Sequence, residues 1–311
     1  MLVSLALLLL GALTALVTPR LMARARWPER EPVVALWVWQ CVVAGVLVSF
    51  ALSMVFSAAA AWQAVRGHVF APAPHAVVEA YALAAYGPWS AVIAVLLALG
   101  GLWSGAMLLR EIRRARRRRK QRRAELLVRA PLLPGEEPGP DRLVVLEGAR
   151  PDAWRLPGAA PQLVITTAAL GRLKGRQLDA VLAHEQGHAQ ARHDWLLHCS
   201  SALANGFPQI PVFAAFRDEM HRLVELAADD VASRRFGRLT TALALVGLNE
   251  DRGVFGPCPT PHAQVPLRVN RLLAPVDRLT AGRRLRLTAA AALVPVVPVV
   301  VAFVPGLRAL G

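Results

Sequence analysis

His184-Glu185-Gln186-Gly187-His188, followed further along by Glu225-Leu226-Ala227-Ala228-Asp229, is the pair of stretches on which the reading of this chain turns. Histidines four apart lie one above the other on one face of an α-helix. Such a face offers the imidazoles of His184 and His188 to one tetrahedral Zn2+. Glu185, beside the first histidine, is placed to take a proton from a metal-activated water. A third protein ligand is still required, and Glu225 is the best candidate. Asp229, one turn further on, is placed to orient a ligand histidine from behind. The bland alternative is a helix with two ordinary surface histidines. With eight His in 311 residues, chance yields such a motif in roughly one chain per hundred. Leu178, Val181 and Leu182 add an apolar stripe just before His184, which sets the motif late on a helix with a buried face.

Around this motif the composition is not that of a soluble enzyme. The residues are 55% hydrophobic with a mean hydropathy of +0.40, yet the formal net charge is +15. Apolar membrane segments separated by basic loops produce that combination. Four apolar segments leave room for one modest polar domain. Cys41, Cys199 and Cys258 include no CxxC pair, and Cys41 falls in an apolar segment. Free thiols are therefore expected rather than a disulfide framework.

Residues 2–17 form the first apolar run, close to the ~17-residue lower limit for a span. A cleaved signal peptide is the competing reading. No Lys or Arg precedes the run, however, whereas Arg20, Arg24, Arg26 and Arg30 follow it, which favours an uncleaved helix with its N-terminus outside. Residues 33–56 form the second span, with Trp37 and Trp39 near one end, and the weakly basic stretch 57–87 is expected outside. Residues 88–109 form the third. The run 110–123 then holds ten basic residues, which places the polar region beyond it in the cytoplasm. Residues 287–304 form the fourth span, expected to kink at Pro295 and Pro298. The expectation is a multi-pass protein of the cell inner (plasma) membrane, with both termini outside and the site inside. The basic run abuts a membrane helix and has no interleaved aromatics. Anionic lipid headgroups, and not nucleic acid, are its expected partner.

Past a Pro/Gly linker at 131–140 the pattern changes. Residues 143–146, 153–156 and 163–167 read as three short strands. A helix from about Leu178 to beyond Leu197 carries the first motif, and a helix from about Arg217 to Arg235 carries Glu225. The fold class expected is a mainly α membrane protein. Three transmembrane helices occupy 1–109 and a polybasic segment with linker 110–140. A small α+β domain occupies 141–285, and the fourth transmembrane helix lies in 286–311. The edge of strand 163–167, just before the motif helix, is expected to hold an extended peptide by main-chain hydrogen bonds.

These residues resemble a known family. The HExxH of 184–188 with the ExxxD of 225–229 is similar to the gluzincin zinc peptidase pattern. Ile165-Thr166-Thr167-Ala168-Ala169-Leu170, with the run from Leu178 to Glu185, resembles the corresponding stretch of membrane metallopeptidases of families M48 (HtpX- and Ste24-like) and M56 (BlaR1- and MecR1-like). Three spans before the zinc domain and one after, together with Arg192-His193-Asp194-Trp195 and Arg268-Val269-Asn270-Arg271-Leu272-Leu273, resemble the M56 layout more closely. The chain stops shortly after its last apolar segment, where BlaR1-type receptors continue into an extracellular sensor domain, so no such sensor is expected.

The resemblance implies one Zn2+ per chain held by His184, His188 and Glu225, with Glu185 as general base, in a zinc metalloendopeptidase. It implies a protein or peptide substrate, either a BlaI-like repressor or the protease itself, in regulatory proteolysis. An HtpX-like quality-control protease is the alternative within enzymes, and a non-catalytic zinc-containing membrane signalling protein the alternative outside them. Glu185 argues against the last, since a purely structural site has no use for a base. A transporter reading lacks intramembrane charges to mark a pathway. His221, one turn before Glu225, is a candidate donor to the oxyanion of the reaction, weighed against an ordinary surface histidine. His193 and His198 read as surface or packing residues, Asp230 as solvent-facing, and Asp194 as a cap or salt bridge. Gly187 either makes room for substrate or close packing, or is merely tolerated at a cost of about 1 kcal/mol in helix propensity.

Overall fold

The computed structural model of the chain describes residues 2–66, 87–129, 142–156, 162–249, 265–274 and 278–310. Long uninterrupted runs of Leu, Val and Ala make the first two helices. α1 (Leu2–Arg24) carries the expected first span and continues past Val17 through Pro19. The short α2 (Trp27–Arg30) turns the chain into α3 (Pro32–Arg66). α1 and α3 approach closely at Gly11, where a Cβ would stand 3.1 Å from that of Ser49. Ser53 Oγ donates to the Ser4 carbonyl at 3.0 Å, so its buried hydroxyl is satisfied without water.

Among the described residues, α1 and the stretch Pro32–Ala59 of α3 are long and apolar enough to cross a membrane. A third candidate is the bent pair α11 (Ala281–Leu293) and α12 (Val296–Leu310), which meet at 45°. The break falls at Val294 and Pro295, one of the two prolines expected to kink the span. The expected span 88–109 coincides with the first half of α4 (Gly87–Arg129), and many of its side chains lie outside the described residues. α4 continues through the ten basic residues, so the polybasic run is helical, with Glu111 paired to Arg114 at 2.7 Å. Of the stretch 57–87 expected outside, residues 57–66 continue α3 and Gly87 starts α4, while 67–86 lie outside the described residues, as does the linker at 131–140.

The three expected strands form one sheet: β1 (Arg142–Leu146), β2 (Ala153–Leu156) and β3 (Gln162–Thr166), in the order β1-β3-β2. β1 runs parallel to β3 and β2 antiparallel to it. β3 is therefore the centre of the sheet and has no open edge, contrary to the expectation that its edge binds peptide. Its successive buried residues Val164 and Ile165 fit a strand covered on both faces, whereas β1 exposes Leu143 and Val145 and buries Val144. Among the described residues the outer edges of the sheet belong to β1 and β2.

Thr166 ends β3 and caps α5 (Thr167–Arg172) by accepting from the Ala169 N–H. The expected helix 178–197 is two helices, α6 (Arg176–Gln190) and α7 (His193–Gly206). Arg192 separates them in a left-handed conformation, φ 52°. α8 (Pro211–Phe236) begins with proline in its first turn and ends at Gly237, φ 87°. α9 (Arg238–Asn249) and α10 (Val265–Leu273) complete the set.

One buried cluster joins Trp39, Val42, Val43 and Val46 of α3 to Val212, Phe213, Phe216, Met220 and Leu223 of α8. A smaller core of Ile165, Ala169, Leu173, Ala180, Val181 and Ala244 fixes α6 beneath the sheet. α6 and α8 are thus held from opposite sides, and the candidate site lies where they cross.

Candidate metal centre

α6 presents His184 and His188 from successive turns, and α8 crosses it so closely that Gly187 is the contact. A Cβ there would lie 3.2 Å from Val231 Cβ and 3.4 Å from Ala228 Cα. Of the two roles considered for this glycine, close helix packing is the one its surroundings show. The crossing brings Glu225 to the two imidazoles.

His184 Nε2 and His188 Nε2 are 3.1 Å apart. Glu225 places Oε2 3.6 Å from the first and Oε1 3.5 Å from the second. Ligand atoms bound at 2.0–2.2 Å around a tetrahedral ion stand about 3.3–3.6 Å from one another. The two Glu225 distances fall in that range and the imidazole pair sits slightly closer, so the three residues suit one ion of zinc's size and form a three-residue cluster able to hold a metal.

The groups behind the ligands are equally specific. His184 Nδ1 lies 3.0 Å from Asp229 Oδ1, and Asp229 is 1% exposed. Arg268 of α10 grips Asp229 with two hydrogen bonds of 2.7 Å, from Nε and Nη2. Its Nη1 lies 2.8 Å from Glu225 Oε2. One guanidinium thus ties the third ligand to the residue that orients the first. His188 Nδ1 lies 3.0 Å from His193 Nδ1. A His188 that binds metal through Nε2 carries its proton on Nδ1, so it donates to the lone pair of a neutral His193.

Electrostatics set the two imidazoles apart. Burial disfavours the charged form of His184, but the hydrogen bonds and charges of Asp229 and Glu225 outweigh it and raise its pKa to about 10. Burial dominates at His188 and lowers its pKa to about 3, and likewise lowers that of His193 to about 4. Burial would raise Glu225 and Asp229, yet the Arg268 charge and His184 hold both well below the usual carboxylate range. Arg268 is in turn pushed up, burial being overcome by the same two carboxylates.

A cavity of about 510 Å³ opens over the cluster. His184, Glu185, His188, Glu225 and His221 line its polar side, and Ala180, Val181, Ala244, Leu245, Leu248 and Val265 its apolar side. Asp152 and Ala153, at the start of β2, also line it. Glu185 thus faces the same space as the three ligand candidates, and His221 shares that lining.

Two residues of the site escaped sequence reasoning. His193, read as surface or packing, is 3% exposed and buttresses His188. On an unbroken helix it would sit about 140° around from His188; the left-handed Arg192 folds it back. Arg268 was read only as part of a resembling stretch, with nothing in the local sequence to link it to Glu225. Asp230, expected to face solvent, instead pairs with Arg271 at 2.8 Å. His198 hydrogen-bonds the Asp194 carbonyl within α7.

Residues 113–222 match the family model described as peptidase family M48. None of the curated proteins and none of the solved structures compared with the chain matches it. The matched stretch includes the sheet, α6 with its HExxH, and α7. It ends three residues before Glu225, so the third ligand candidate and Asp229 rest on the geometry and the ExxxD spacing. Over that stretch the chain is similar to the M48 peptidases, a similarity that indicates a metallopeptidase.

Proposed function

We propose that this chain is an integral-membrane zinc endopeptidase whose site faces the cytoplasm. The observation that carries the reading is the convergence of His184, His188 and Glu225 at single-ion spacing, with Glu185 lining the cavity above them. When bound, the ion supplies a Lewis acid for the scissile carbonyl and lowers the pKa of the attacking water. The chain's own residues do the rest. Asp229 holds His184 and His193 holds His188 in the tautomer that points Nε2 inward. Arg268 restrains Glu225. Glu185 accepts the proton of the attacking water and hands it to the leaving amine. His221 is a candidate donor to the developing oxyanion. The open β2 edge beside Ala153 is the place for an extended peptide to add as a strand.

Two physiological roles fit this chemistry. The M48 match favours quality-control proteolysis of membrane proteins of the HtpX kind. The resemblance of Arg192-His193-Asp194-Trp195 to M56 proteins favours regulatory proteolysis of the BlaR1 kind, with a BlaI-like repressor or the chain itself as substrate. Both place the protein in the inner membrane, with residues 110–123 against anionic headgroups. Trapping substrates in cells with the Glu185→Gln variant separates them, since a single repressor and a broad set of damaged membrane proteins are distinct outcomes.

The chemical reading is tested on purified full-length protein. Glu185→Gln is expected to retain one zinc per chain and lose cleavage of a peptide library by about 10²–10⁴-fold, the usual contribution of a general base. Equal cleavage by the variant sinks the assignment.

A further inference from the structure

We propose that α7, the turn after it and the first half of α8 form a re-entrant hairpin. It enters the membrane from the cytoplasmic side beside α3 and sets the metal centre at the membrane surface. The proposal rests on the reading of α1 and α3 as membrane spans. From Trp195 to Phe216 there is no Asp, Glu, Lys or Arg, although Asp194 and Arg217 bracket the stretch. This segment packs on a candidate span. Val212, Phe213 and Phe216 share one buried cluster with Trp39, Val43 and Val46 of α3, and the Trp39 and Phe216 rings lie 6.2 Å apart.

The levels can be read along α8. Arg222 pairs with Glu29 at 3.1 Å, and Glu29 lies in the turn between α1 and α3, among the arginines that follow the first apolar run. From there α8 runs back alongside α3, reaching Trp39 at Phe216 and the hairpin turn near Pro211. That turn lies about 17 Å beyond Arg222 at 1.5 Å per residue. A hydrocarbon core about 30 Å thick therefore admits the tip well into the near leaflet. In the opposite direction Glu225 lies about 4–5 Å past Arg222.

The turn is built for surroundings poor in water. Pro208 and Pro211 have no backbone N–H. The N–H groups of Phe207, Ile210 and Phe213 donate to Leu203, Phe207 and Ile210 carbonyls at 2.9–3.1 Å. Few backbone donors are left for solvent to satisfy, as non-helical backbone at membrane depth requires. Trp195, 63% exposed at the foot of α7, stands where an interfacial anchor belongs. The consequence is a substrate class. A peptide bond reaching this site comes from a segment lying on or just emerging from the bilayer, such as the juxtamembrane end of a membrane protein.

The test uses the full chain in permeabilised lipid vesicles on a background without native cysteines (Cys41→Ala, Cys199→Ala, Cys258→Ser). Single cysteines are placed at Asn205 and Gln209, which are exposed on the protein surface so that only lipid can shield them. Leu47→Cys, 38% exposed on α3, is the span control, and the exposed Arg234→Cys is the water control. A membrane-impermeant maleimide is expected to label positions 205, 209 and 47 at least roughly tenfold more slowly than 234, as burial in lipid requires. Nitroxides at 205 and 209 are expected to relax faster with oxygen than with a water-soluble nickel complex. Labelling of 205 and 209 as fast as 234, with 47 shielded, overturns the hairpin and leaves the spans standing. Fast labelling of 47 as well removes the membrane reading and the proposal with it. The pattern is read without cleavage or metal, so it is independent of whether the peptidase assignment holds.

Discussion

At the scale of single residues, Asp229 and His193 do the same geometric job for the two histidines, the first as an anion and the second as a neutral ring. Asp229 stabilises a proton on His184, whose pKa rises to about 10, while His193 is neutral and His188 stays unprotonated down to about 3. Metal requires the free Nε2 of both. Between about pH 4 and 10 one proton, that of His184, must leave as the ion enters. Apparent zinc affinity is therefore expected to rise about tenfold per pH unit across that range. Calorimetry in buffers of different ionisation enthalpy should find close to one proton released per zinc at pH 7; release of none contradicts the Asp229–His184 pairing. In chelated protein, the raised pKa of His184 contributes stability in full below pH 6.5 and loses it as pH climbs through about 10. The lowered pKa of His188 contributes above pH 6.5 and loses it as pH falls toward about 3. Melting temperatures of the metal-free protein are expected to peak near neutrality. Arg268 is the other decisive residue, because its loss strands the buried Asp229 carboxylate and unties the half-buried Glu225. Arg268→Ala is expected to destabilise the metal-free protein by about 3–5 kcal/mol. Saturating zinc should restore part of that by supplying a replacement positive charge, a gain read by thermal unfolding with and without the ion.

Among the elements, those legible in the sequence owe it to periodicity, and those hidden depend on partners distant in the chain. Strands at 143–146, 153–156 and 163–167 were placed within a residue of those found, because short runs of Val, Ile, Leu and Trp between Gly and Pro leave few alternatives. The HExxH helix and the Glu225 helix were legible for the same reason. The order of the strands was not, since alternation tells which face is covered and not which neighbour sits alongside. Nor was the break at Arg192, where Ala191-Arg192-His193 has no Gly or Pro to end a helix. The left-handed Arg192 there goes with the contact of His193 and His188, five residues apart, which no local breaker signals. Gly187 shows how tightly the pairing of α6 and α8 is specified. A leucine at this position has nowhere to go between Val231 and Ala228. Gly187→Leu is expected to cost about 1–3 kcal/mol by overpacking and, by prising α8 away, to separate Glu225 from the imidazoles. Zinc content well below one per chain in a still-folded variant is the expected readout; full zinc content would show that the helices tolerate separation.

On the scale of the whole molecule, the candidate catalytic elements and the candidate spans share one core rather than meeting at a linker. The helix that carries Glu225 and Asp229 buries Val212, Phe213, Phe216 and Met220 to 3% exposure or less, in a cluster completed by Ala35, Leu36, Trp39, Val42, Val43 and Val46 of α3. Polar ties run the same way. Arg271 donates to the Glu29 carbonyl at 2.7 Å while pairing with Asp230 at 2.8 Å, one residue from the His184 orienter. Burial of each large apolar side chain is worth about 1.5–3 kcal/mol. Four of them amount to about 6–12 kcal/mol, comparable with the entire 5–15 kcal/mol by which a domain is stable. The segment 142–274, expressed without α1 to α4, is therefore expected to lack a closed core despite containing every ligand candidate. It should aggregate on size-exclusion chromatography and take up little zinc, whereas the full chain in detergent runs as a single species. A soluble, monodisperse fragment that binds one zinc would show that the spans only anchor the site. The expected failure would mean that they build it, and that any movement of α1 against α3 reaches the ligand helix directly through Trp39 and Phe216.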